Sequence, residues 1–80
     1  MAAESFHTDH AAQRFNLRYG AFTENADWIT AFLDILDGRS IMLARDPATG
    51  IEKHLAKVAG IEAILIYDPS TACIITVLPR

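Results

Sequence analysis

The sequence predicts an α+β fold: two N-terminal helices packed on one face of a four-stranded antiparallel meander sheet. Two observations carry this expectation. Up to residue 38, apolar residues recur at helical spacing between capping residues; from residue 40, short β-like runs alternate with turn residues. At 80 residues the chain makes one domain, 1-80, and buries only ~60–65% of the surface its unfolded form exposes, so its core is thin. Residues 1 to 7 have no periodicity and read as a loose, flexible arm.

The first helix runs roughly from 9 to 19. Thr8 suits its N-cap, Asp9 the positive end of its dipole and Gly20 its C-terminal stop. Ala11, Ala12, Phe15 and Tyr19 form its apolar stripe, and His10, Arg14 and Arg18, four residues apart, form a cationic band beside it. Thr23 or Asn25 can cap the second helix, which Asp37-Gly38 ends. Trp28, Ile29, Phe32, Leu33, Ile35 and Leu36 form its packing face, the main one of the domain. The remaining arc carries Asp27, Asp34 and Asp37, with Glu24 at the first turn; Lys and Arg are absent between Arg18 and Arg39.

"SIMLAR" then leads through "DPATG" into "IEKHLAKV", a hairpin signal, with Pro47 at the early turn position and Gly50 at the exit. Ala59-Gly60 turns the chain into "IEAILIY", and "DPST" turns it into "ACIITVLP". The first two strands are the wetter edge, and His54, beside Lys53 and Lys57, reads as an exposed edge residue. The last two are almost continuously apolar. Two helices cover one face of such a sheet but not both, so a second face, bearing Ile64, Ile66, Ile74, Thr76 and Leu78 or their neighbours, is expected to be partly open for self-association or docking.

Composition narrows the function. Seven Lys and Arg against ten Asp and Glu give a formal charge of -3, the wrong sign for a protein whose affinity comes from neutralising phosphates. Direct nucleic-acid binding is not expected. The single cysteine, Cys73, lies in an apolar run, reads as core and excludes an intrachain disulfide. "MAAESFH" lacks the basic and apolar regions of a signal peptide, and no apolar run approaches the ~20 residues that span a bilayer; a cytoplasmic protein that does not enter the membrane is expected.

Two constellations could carry function. In His10-Arg14-Arg18, arginine forks can hold a phosphate while a histidine moves a proton, the parts of a metal-independent ribonuclease; the same cations can simply favour the helix dipole, pair with carboxylates or dock a partner. Packing and docking are the preferred reading. The acidic face of the second helix can mimic a phosphate backbone and enter a Lys/Arg-lined groove, or serve only as a solvated face. Tyr67 and Thr76 could join a site on the sheet face. His7-x-x-His10 lacks a third ligand nearby, and no P-loop, dinucleotide fingerprint, nucleophile elbow or cysteine metal motif occurs, so neither metal nor cofactor is expected.

"HAAQRFNLRYG" and "ILIYDPSTACIITVLP" resemble a family of short phage, prophage and gene-transfer-element proteins with a His-Ala-x-x-Arg-x-x-x-Arg-x-Gly helix and a terminal Tyr-Asp…Thr-x-Leu-Pro strand. The matching positions are His10, Ala11, Arg14, Arg18, Gly20, Tyr67, Asp68, Thr76, Leu78 and Pro79. The arrangement is also similar to RelE/barnase-like ribonuclease toxins, a resemblance that implies His10, Arg14, Arg18 and Thr76 as the site. The chain departs from those toxins in being acidic and in lacking Lys, Arg or His on its last two strands.

As a small acidic chain without an enzyme motif, it further resembles mobile-element anti-CRISPR proteins, in particular the type I-C class. That resemblance implies an inhibitor that binds protein subunits of a host CRISPR surveillance complex (Cascade) in the host cytoplasm and blocks target DNA binding. Glu24, Asp27, Asp34, Asp37, Arg14 and Arg18 would be its contact residues, with no catalytic residue. The expected state is a monomer or weak homodimer. A ribonuclease and a non-catalytic phage structural or regulatory domain are the alternatives.

Overall fold

The computed structural model describes residues 6–79. Helices α1 (Asp9–Tyr19) and α2 (Asn25–Leu36) precede strands β1 (Ile41–Arg45), β2 (Glu52–Val58), β3 (Ile61–Asp68) and β4 (Cys73–Leu78). The strands form one sheet in the order β1-β2-β3-β4, with every neighbouring pair antiparallel. This is the α+β meander that the sequence predicts.

Local chemistry sets the helix ends. The Thr8 hydroxyl accepts the Ala11 N–H at 3.0 Å, and Gly20, at φ 68°, turns its N–H back to the Asn16 carbonyl at 2.8 Å. The cap of α2 is neither Thr23 nor Asn25. Glu24 takes that position and its N–H donates to Asp27 Oδ2 at 2.8 Å, while the Thr23 hydroxyl accepts the Trp28 indole N–H at 2.8 Å. A buried indole needs such a partner, and Thr23 is the one that reaches it.

The core lies between the helices and the sheet. Its largest fully buried side chains are Trp28, Phe15, Leu65, Ile74, Val58 and Val77. Phe15 meets Trp28 edge-on with ring centroids 5.8 Å apart, a favourable aromatic geometry. The buried stripe of α2 is narrower than its sequence suggests: Trp28, Ala31, Phe32 and Ile35 are buried, whereas Leu33 and Leu36 are exposed. The sheet accepts a helix along one line of contact, so side chains at the flanks of a wide apolar arc stay in solvent.

Two corrections concern the ends of the core. Phe6 stacks on Phe32 at 4.4 Å and His7 on Trp28 at 4.8 Å, so the expected loose arm is packed at these two positions; residues 1–5 lie outside the described residues. Ile74 faces the core and is fully buried, although alternation from Thr76 would place both on the open face. A β-bulge is the reason. Ile66 pairs with Thr76 but Tyr67 pairs with Ile74, so Ile75 is the extra residue and the phase of β4 flips there.

The outer edge of β4 is covered by the chain's own N-terminal part. His7 bridges Ile74 in parallel, the Ile74 N–H donates to the Phe6 carbonyl at 2.9 Å and the Thr8 N–H to the Ile74 carbonyl at 3.1 Å. Three side chains continue the cover: the Thr8 hydroxyl donates to the Ile75 carbonyl at 2.7 Å, Arg18 Nε to the Val77 carbonyl at 3.2 Å and the Tyr19 hydroxyl to the Leu78 carbonyl at 3.2 Å. An edge whose carbonyls are already bonded no longer templates a foreign strand.

Candidate functional site

The α1 band does not act as one site. His10 Nε2 accepts from Arg14 Nε at 3.4 Å on the exposed side of the helix. Arg18, one turn further on, directs its Nε to the Val77 carbonyl and thereby helps seal β4. Thr76 lies in the row Lys53, Ile66, Thr76 on the sheet face away from the helices. The four residues that a ribonuclease reading requires are therefore divided between the helix, the covered edge and the opposite sheet face.

The α2 carboxylates form two groups. Glu24 and Asp27 sit at the N-terminal end, where the helix dipole favours negative charge and Asp27 completes the cap. Asp34 and Asp37 sit at the C-terminal end, where the dipole opposes them, and Arg39 offsets this by reaching Asp34 at 3.6 Å and Asp37 at 3.4 Å. Such exposed pairs contribute about 0–1 kcal/mol, so they orient the cluster more than they stabilise it. Arg39 also donates its N–H to the Asp34 carbonyl at 2.8 Å, which holds the chain close after the helix ends.

On the open sheet face, Ile41, Leu55, Ile64 and Leu78 form one cross-strand row. Tyr67 is not part of this face. It is buried on the helix side, where its ring meets His54 edge-on at 6.2 Å, and burial foremost, with Glu52 and Asp68 nearby, raises its hydroxyl pKa. Cys73 is half-buried rather than core, and burial likewise raises its thiol pKa.

The polar group that sequence reasoning missed is His54. It is 5% exposed, on an inner strand, and not an exposed edge residue. Its Nδ1 lies 2.7 Å from the Ser40 hydroxyl and its Nε2 2.8 Å from Glu52 Oε1, with Arg45 Nε 4.0 Å from the other Glu52 oxygen. Both ring nitrogens therefore have a hydrogen-bond partner, as a buried imidazole requires. The signal was present in the spacing. Glu52, His54, Ala56 and Val58 share one strand face, and the apolar partners on that face place His54 inside.

Serine, histidine and carboxylate in line resemble a nucleophile, base and orienting acid. The surroundings assign a different role. The Arg39 and Ser40 N–H groups both donate to the Asp34 carbonyl and so do not form an oxyanion hole. The depression beside α1 is lined by Ala12, Gln13, Asn16, Phe22 and Thr23, and the one at the β1 side by Asp34, Arg39, Ile41, Leu55, Lys57 and Glu62 among others; neither takes in Ser40 or His54. The trio is a clamp fastening the start of β1 to β2.

Among the described residues, no group of three His, Cys, Asp or Glu side chains could hold a metal ion, and no helix is long and apolar enough to cross a membrane. Searches for similar proteins found no match among protein-family models, curated proteins or solved structures.

Proposed function

We propose that the chain is a non-enzymatic inhibitor that binds protein subunits of a host type I-C RNA-guided surveillance complex and blocks its loading onto target DNA. The observation that supports this best is the charge along α2 and its exit: Glu24, Asp27, Asp34 and Asp37 stand against a single cation, Arg39. A surface of that sign complements a Lys/Arg groove that otherwise holds DNA, speeding encounter and selecting the partner. Arg14, partly exposed beside His10, would anchor the border of the contact on acidic or polar groups. Arg18 contributes through the guanidinium nitrogens that its bond to Val77 leaves over.

A target-DNA shift assay with the purified complex tests the reading. Excess protein should leave the DNA unbound, and undiminished DNA binding would sink the proposal. Asp34→Lys with Asp37→Lys tests the surface, because both stand at the C-terminal end of α2, where the dipole favours the new cations, and the Glu24–Asp27 capping pair is left in place. Inhibition that survives this reversal unweakened moves the contact to the open sheet face around Ile64 and Ile66.

A further inference from the structure

Helix α2 has two apolar faces, and the fold buries one of them. Trp28, Ala31, Phe32 and Ile35 enter the core. Ala26, Ile29, Leu33 and Leu36 follow one another in steps of three, four and three residues, the spacing of a seam between two helices. At about 100° per residue this stripe lies roughly a third of a turn from the buried face, so the sheet does not cover both. Ala26 is exposed, Ile29 is half-buried, and Leu33 and Leu36 are 48% and 58% exposed. Apolar side chains at such steps, here over about 15 Å of helix, are the anchors by which one helix lies against another.

The charges around the stripe indicate what covers it. Its outer flank carries Thr30, Asp34 and Asp37, Glu24 and Asp27 stand at the helix start, and α2 has no Lys or Arg. Arg39 is shared by Asp34 and Asp37, at 3.6 and 3.4 Å, so that group keeps one negative charge. Lys57 and Glu62, which border the depression beside Asp34, are one of each sign. From Glu24 to Arg39, four carboxylates against one cation leave a net charge of -3. The carbonyl end of the helix dipole adds negative potential beside Leu33 and Leu36. A second copy would set carboxylates against carboxylates, whereas a helix with cations beside its apolar seam matches both parts of this surface. We propose that the stripe docks a helix of a partner protein that has Leu-like residues at three- and four-residue spacing flanked by Lys and Arg. The identity of the partner rests on the inhibitor reading; the chemistry of the contact does not.

Nuclear magnetic resonance of the isotope-labelled protein, titrated with a synthetic amphipathic peptide that has Leu at heptad spacing and Lys elsewhere, tests this. Saturable shifts centred on Ala26, Ile29, Leu33 and Leu36 are expected, with binding that weakens as salt rises. Leu33→Gln with Leu36→Gln, which keeps every carboxylate, should weaken binding about tenfold or more, and a peptide with Glu in place of Lys should not bind. No saturable binding up to millimolar peptide overturns the proposal, as do shifts centred elsewhere, equal binding of the Glu peptide or equal binding by the double variant. A doubled mass in sedimentation equilibrium that the same variant abolishes overturns it too, by assigning the stripe to a second copy. If the variant does not fold, shift mapping on the unchanged protein decides. Failure to block DNA loading while the Lys peptide still binds at the stripe would remove the inhibitor reading and leave this inference standing.

Discussion

The Ser40 hydroxyl and His54 Nδ1, 14 residues apart in the chain, meet at 2.7 Å and tie the approach to β1 onto the inner strand β2. Ser40→Ala leaves a buried ring nitrogen without this partner, which costs on the order of 1–3 kcal/mol. Urea unfolding should show that loss with an unchanged slope. A protein of undiminished stability would mean that the trio does not act as a clamp.

The cover of β4 gives a second expectation. Arg18→Ala and Tyr19→Phe each free a strand carbonyl, and each should cost about 0.5–1.5 kcal/mol, the net worth of one hydrogen bond. The double variant should also aggregate faster on incubation, since the edge is opened. Light scattering against time reads the second effect, and matching curves for variant and parent would argue against edge protection.

The bulge at Ile75 makes neighbouring positions unequal. Ile74→Ala should destabilise by roughly 2–5 kcal/mol, as buried large-to-small changes do, whereas Thr76→Ala on the open face should stay within about 0.5 kcal/mol. Simple alternation would make the two changes alike. Thermal or denaturant unfolding of both variants separates these outcomes.

Acid should weaken the fold first through His7. Burial against Trp28 holds its pKa below the ordinary 6.5, with Asp9 partly opposing the shift, so the unfolded chain binds the proton more readily than the folded one. This contribution is complete above pH 6.5 and is lost as pH falls through the folded value. Asp68, whose pKa the Ser70 and Thr71 hydrogen bonds lower, adds a second loss below the ordinary 3.8. Stability measured against pH should decline from 6.5 downward, and His7→Phe should flatten that upper part of the profile alone.

Bulk RNA incubated with the pure protein should remain intact, because His10 and Arg14 on α1 and Thr76 on the far sheet face do not converge. RNA cleavage that disappears in the His10→Ala and Arg14→Ala proteins would replace the inhibitor reading with a ribonuclease.

Much of this architecture is legible without coordinates. Helix positions, the Thr8 and Gly20 caps, four strands and their turns follow from periods of 3.6 and 2 and from bonds spanning a few residues. So does the acidic character of α2. All of these are features whose partners lie nearby in the chain. Tertiary structure alone decided that His54 is buried, that Ile74 and Thr76 face opposite ways, and that Arg18 serves the sheet. These depend on contacts such as Arg18 with Val77 and Thr8 with Ile75, separated by 59 and 67 residues. A bulge shifts strand phase by one residue without a local signature, and an edge is recognisable as covered only when the distant segment that covers it has been placed.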